Sequence, residues 1–206
     1  MIQAKHFWLH QLFFRYYFRY ILRKDFRRTE TFGEYRDRGL PVLVIGNHIS
    51  WWDGFFIYEL NTRIFKRRFY LMMLEEQLKK IKFFRRLGAF SINPGSRSVL
   101  ESVKYATEIL ASSDNMLALF PEGELKSQYE QDILFRKGWF RILKYAPGPV
   151  QVIFMANVTD YFSHRKPTLY TYIEEYPYTD SFVFDKLSSD YNAFYQRTLK
   201  QQKQRS

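Results

Sequence analysis

Cysteine is absent from all 206 residues, which excludes disulfides, thiolate metal sites and a cysteine nucleophile. With no positive sign of secretion either, the expected location is the cytoplasm. The uncharged run from His6 to Phe14 falls far short of the roughly 20 apolar residues a spanning helix needs, and no small-residue cleavage site follows it. A spanning anchor and a secretory signal are thereby set aside. Internal repeats and low-complexity linkers are missing too. So are a helix-turn-helix pattern, zinc-finger spacing and an RNP-like aromatic strand, which leaves a nucleic-acid binder supported only by charge and aromatics.

What the chain has in excess is aromatic and basic side chains: 21 Phe, 16 Tyr and a formal net charge of +11. The charge favours anionic partners such as phospholipid headgroups, acidic carrier proteins or phosphorylated substrates. The length suffices for one domain with a real core. In the N-terminal stretch HFWLHQLFFRYYFRYILRKDFRR, Arg15, Arg19, Arg23 and Arg27 recur every four residues. On a helix they form a slowly drifting cationic stripe. Trp8, Leu9, Leu12, Phe13, Tyr16, Tyr17, Tyr20 and Ile21 supply apolar and aromatic surface beside it. Two readings stand: a helix lying in a membrane interface, or an amphipathic helix docked on its own domain with a solvated basic face. The four histidines are scattered, and the one close pair, His6 and His10, lies on this segment in solvated or headgroup-facing positions, so no metal site is expected. The expected organisation is 1–32 as the N-terminal amphipathic helix and 33–206 as an α/β domain.

Beyond residue 33, short apolar runs alternate with longer helical periods. Strands are predicted at 41–45, 69–73, 89–92, 116–120, 150–155 and 169–173. Helices are predicted near 51–60, 75–86, 97–111, 136–145 and 189–202. The clearest is 97–111, where Val99, Val103, Ala106 and Leu110 share a face with Leu100 beside them. The alternation predicts an α/β fold, a mixed, mostly parallel sheet covered by helices. Ligands of such sheets meet the loops at strand ends.

Two motifs fall at such ends. The first, NHISWWD, follows the apolar strand PVLVIG. Ser50-x-x-Asp53 reads as a capping box starting a helix at Trp51, which brings Asp53 close enough to accept a ring N–H from His48. That fixes the imidazole tautomer and leaves its other nitrogen free to take a proton. The second, Phe120-Pro121-Glu122-Gly123, follows MLAL and taken alone is a proline-glycine turn with a solvated glutamate.

Together and in this order, NH-x4-D and FPEG resemble the glycerolipid acyltransferase family that includes the bacterial 1-acylglycerol-3-phosphate acyltransferases. The resemblance runs from about Leu40 to Ala156. The family's first motif matches Asn47, His48, Ser50 and Asp53, and its third matches Phe120, Pro121, Glu122 and Gly123. The second motif is met in part by GAFSINPGSR: Gly88, Phe90 and Ile92 fit, but Pro94 stands where the phosphate-binding arginine belongs and Arg97 comes three residues late. The fourth is met in character by VQVIFMAN, without its proline.

The resemblance implies transfer of a fatty acyl group from acyl-CoA or acyl carrier protein to the hydroxyl of a lysophospholipid such as 1-acylglycerol-3-phosphate. His48 serves as base and Asp53 orients it, with no covalent intermediate and no cofactor. Asn47, Ser50, Gly88, Glu122 and Gly123 are the implied acceptor-binding positions, with Arg97, Arg136 or Lys137 facing its anionic group. The expected partners are an anionic membrane surface, the lysolipid and the acyl donor, with no nucleic acid, and the expected site of action is peripheral, on the inner face of the cell membrane. The altered second and fourth motifs keep two alternatives open: a lyso-aminolipid acceptor, which needs no arginine at 94, and a catalytically inactive membrane-bound interaction protein.

Overall fold

The computed structural model describes residues 1–179 and 181–205. The strands are β1 (Arg28–Phe32), β2 (Val42–Gly46), β3 (Arg68–Leu74), β4 (Ala89–Ile92), β5 (Asn115–Leu119), β6 (Gln151–Asp160) and β7 (Thr168–Glu175). The described residues join them in one sheet of order β1-β7-β6-β2-β5-β3-β4. Every pairing is parallel except that of β6 with β7. The mixed, mostly parallel α/β sheet is thus the architecture formed.

Strand β2 reads VLVIG and is buried throughout, as a central parallel strand covered on both faces must be. Its alternating side chains divide the core. Val42 and Val44 face a cluster with α1 (Trp8–Asp25), α2 (Asp53–Leu60), α3 (Glu75–Lys80) and α4 (Phe83–Leu87). Leu43 and Ile45 face one with α5 (Val99–Ile109), α6 (Arg141–Lys144) and α7 (Phe184–Lys203). Two of the predicted helices are interrupted. The one expected over 75–86 breaks between α3 and α4, where Ile81 takes φ −113° and ψ 62°, and the one over 136–145 opens as a 3-10 turn, Lys137–Phe140, before α6. On α5, Val103 and Ala106 are buried as the period requires, whereas Leu100 is exposed.

The N-terminal segment packs onto the sheet. Strand β1 forms the sheet edge beside β7, and α1 sinks Phe18 completely into the core against Phe55 and Tyr58. Ahead of α1, Ile2 exchanges two hydrogen bonds with Ser91 along the outer side of β4, which covers an otherwise open edge. The histidine pair is likewise not on one helix facing outward. His6 precedes α1 and its Nε2 lies 2.8 Å from the Phe69 carbonyl, while His10 meets the Arg86 guanidinium at 2.6 Å. No helix among the described residues is long and apolar enough to cross a membrane.

Candidate active site

Strands β2 and β5 are neighbours in register, with Ile45 opposite Leu119. Three residues past each lie His48 and Glu122, so the register alone sets the two motifs side by side. Glu122 Oε1 accepts the His48 backbone N–H at 2.8 Å, and the His48 carbonyl accepts the Lys126 N–H at 2.8 Å. The imidazole stacks on the Phe120 ring at a centroid distance of 4.5 Å and an interplanar angle of 9°. Gly46 makes room for that ring, because a Cβ there would stand 3.3 Å from it and 2.6 Å from the Met155 methyl.

Asp53 opens α2 and is wholly buried. Its Oδ2 accepts from His48 Nδ1 at 2.8 Å and from the Ser50 N–H at 2.8 Å. Since an ionised carboxylate only accepts, Nδ1 carries the proton and Nε2 presents a lone pair. The His48 side chain is 25% exposed, so that lone pair is within reach of an incoming group. Burial raises the Asp53 carboxyl above its ordinary range, opposed by His48 and by the Ser50 and Ile49 N–H groups. Glu122, also buried, is pushed up to about 7 by desolvation; the His48 N–H and the His48 charge pull it down, and the Asp53 charge pushes it further up. The geometry suits a proton acceptor held by its ring nitrogen, its ring face and its backbone.

The other expected positions divide. Arg97 is exposed in the loop after β4, at the same strand-end edge as His48, and no ion pair engages it among the described residues. Gly123 has φ +69° and lies under the Arg136 guanidinium, whose Nη2 is 3.6 Å from Glu124. Four positions have their side chains or backbone engaged in the fold. Asn47 is fully buried and spends its amide on the backbone of Asn157, donating to the carbonyl at 2.9 Å and accepting the N–H at 2.8 Å. Ser50 accepts the Trp52 N–H at 3.1 Å in the turn ahead of α2, which starts at Asp53 rather than Trp51 and whose N-cap residue, Trp52, makes no side-chain cap bond. Gly88, with φ +121°, precedes β4 at the opposite end of the strands, where a Cβ would overlap the Phe69 carbonyl. Lys137 turns its amine onto the Phe184 ring at 5.5 Å.

Sequence reasoning missed the residues that brace the second motif's loop. Gln128 bonds the backbone N–H and carbonyl of Thr159 on β6, and Asn192 of α7 clamps Ile133 by both backbone groups. Those contacts join residues 31 and 59 positions apart, and no local pattern announces them. A cavity of about 430 Å³ opens beside Ile49 and Ser50, walled by Phe26, Trp52 and Phe56 with Gln128 and Thr159. The larger one, about 480 Å³ around Arg38, Gln151 and Glu175, sits at the strand starts, away from His48. Among the described residues, no three His, Asp or Glu side chains are grouped to hold a metal ion.

A family model described as Acyltransferase matches residues 27–156, a span that starts at the head of β1 and includes both motifs. Among solved structures, the 1-acyl-sn-glycerophosphate acyltransferase PlsC of Thermotoga maritima is similar at a TM-score of 0.66 and 17% identity. The similarity covers 95% of this chain and 80% of that one. No curated protein sequence matches the chain significantly.

Proposed function

The chain belongs to the acyltransferase family, and on that premise we propose that it moves a fatty acyl group from a thioester donor to the hydroxyl of a lysophospholipid at a membrane surface. The observation that carries the reading is the 2.8 Å contact between His48 Nδ1 and a fully buried Asp53 carboxylate. It leaves Nε2 unprotonated and free to act as a base. Nε2 takes the proton of the acceptor hydroxyl as its oxygen bonds to the thioester carbon, and Asp53 stabilises the imidazolium. The C–S bond then breaks and the departing thiolate recovers the proton. No cofactor takes part, and the donor is acyl-CoA or acyl carrier protein.

The acceptor class is supported by the name of the similar solved protein, which acts on 1-acyl-sn-glycerophosphate. Arg97, exposed and without an ion-pair partner among the described residues, is a cation available to meet a phosphate. The Pro94 turn favours a second reading in which the acceptor is a lyso-aminolipid. A membrane setting is supported by α1, whose outer side exposes Trp8, Phe13, Tyr16 and Tyr20 by 60 to 68%, a belt that suits a headgroup layer. The test is direct: purified protein is given labelled acyl-CoA or acyl carrier protein with a lysophosphatidate or a monoacyl ornithine lipid. Labelled diacyl product from the first supports the reading, from the second alone supports its rival, and from neither refutes both.

A further inference from the structure

We propose that the cleft between the end of α1, the start of β1 and the π-helical turn after α2 (Asn61–Phe65) binds the phosphate of an anionic lipid. This rests on the membrane reading above and adds to it a defined site. Arg19 and Arg23 of α1, Arg27 and Arg28 at the entry to β1 and Arg63 of the turn line about 360 Å³, with Glu59 the one acid in the wall.

The charges in that wall are only partly spent. Glu59 is engaged by Arg19 at 3.2 Å, and Arg28 turns to Glu30 at 2.5 Å. Arg63 has only the Thr29 hydroxyl at 3.4 Å, and Arg23 and Arg27 have no carboxylate partner among the described residues. Three guanidinium groups thus converge uncompensated. The carbonyl end of α1 subtracts about half a charge, too little to cancel them. Leu22 and Phe26, both buried, give the cleft a firm floor. Planar guanidinium forks on a firm base suit phosphate oxygens.

The slowly drifting arginine stripe expected from the sequence runs round α1 toward this cleft. At 100° per residue, Arg15, Arg19 and Arg23 rotate about 40° per step, from the packed flank outward, and Arg27 lies beyond the helix end at Asp25. Arg23 falls on the same arc as Leu12 and Tyr16, both exposed. A surface that receives the aromatic belt of α1 thereby brings its own phosphates to the mouth of the cleft. That continuity selects a lipid headgroup over free phosphate.

The test compares wild type with the double variant Arg27→Gln/Arg63→Gln and with a charge-matched control, Lys104→Gln/Lys144→Gln, on α5 and α6 across the sheet. Neither cleft arginine holds a carboxylate, so their removal orphans no acid, and thermal melts verify the fold. Co-sedimentation is measured on phosphatidylcholine vesicles with and without phosphatidylglycerol, and inorganic phosphate is titrated without vesicles. The cleft variant should bind the anionic vesicles about 30-fold more weakly, at about 1 kcal/mol per basic group. The control should lose far less, and all three should bind neutral vesicles alike. Equal losses in variant and control mean diffuse attraction and overturn the site while sparing the membrane reading. Tight binding of inorganic phosphate by wild type but not by the cleft variant would reassign the cleft to a soluble anion. Failure of wild type to bind either vesicle overturns both proposals.

Discussion

The carboxylate of Glu122 accepts the main-chain N–H of His48 at 2.8 Å across 74 positions of sequence. A glutamate that the motif alone would assign to the acceptor thus first holds the histidine in place, and it does so while buried. Desolvation, the leading effect, raises its carboxyl from 4.5 to about 7.

From this follows a pH dependence of stability. Between those values the folded chain keeps a proton on Glu122 that the unfolded chain has released, so the folded state binds more protons and stability falls as pH rises through the window. Asp53, also raised by burial, contributes a slope of the same sign. Glu122→Gln keeps an acceptor for the His48 N–H and removes the titration, so its urea midpoint should vary less between about pH 4.5 and 7. Identical slopes for variant and wild type would show that Glu122 titrates normally.

His48→Ala should lower acyl transfer on the order of 100-fold or more, the usual contribution of a general base, with little change in melting temperature. Asp53→Asn keeps part of the cap but cannot stabilise an imidazolium. A steep fall in kcat with a stability change of about 1 kcal/mol is expected. Purified, folded His48→Ala with near-normal turnover would remove the histidine from the mechanism.

Arg97→Gln should raise KM for a phosphate-bearing acceptor by about 10- to 100-fold, the range of a lost charge-assisted bond of about 1.5–3 kcal/mol, and leave kcat nearly unchanged. Steady-state kinetics on a soluble, short-chain lysophosphatidate read this without a membrane contribution. An unchanged KM would point to Arg136 or to an acceptor without phosphate.

Asn47→Ala should act on stability rather than on acceptor binding. It strands the N–H and carbonyl of Asn157 in a fully buried setting, at a cost of about 1–3 kcal/mol. Denaturant melts should shift while the acceptor KM of the folded protein stays put. The reverse pattern would restore Asn47 to the acceptor site.

The two sides of α1 should separate cleanly. Phe18→Ala leaves a core cavity and should cost about 3–5 kcal/mol. Tyr16→Ser with Tyr20→Ser, both on the exposed side, should leave the melt nearly unchanged and weaken vesicle binding. Unaltered binding by that pair would leave α1 as a cover for its own domain.

Much of this was legible in the residues themselves. The sheet core was readable because a parallel strand buried on both faces must be continuously apolar, and VLVIG, MLAL and VIFMA are. The His48–Asp53 contact was readable because it is local: the two side chains stand five positions apart, across the turn in which Asp53 accepts the Ser50 N–H. Strand β1 was not readable, since RTETF carries no apolar alternation and becomes a strand by pairing with β7.

What only the tertiary structure decided is everything set by pairing at a distance. The Ile45–Leu119 register turned two separated motifs into one site. The Asn157 backbone claimed Asn47 and took it away from the opening, and Gly88 went to the wrong end of its strand for any ligand at His48. Arginines from α1, β1 and the turn after α2 met in one cleft. Local sequence determines which conformation a short segment prefers and which side chains it must bury. Which segments become neighbours depends on the burial and hydrogen bonding of the whole sheet at once, and a one-residue change of register would send every side chain of the shifted strand to the other face.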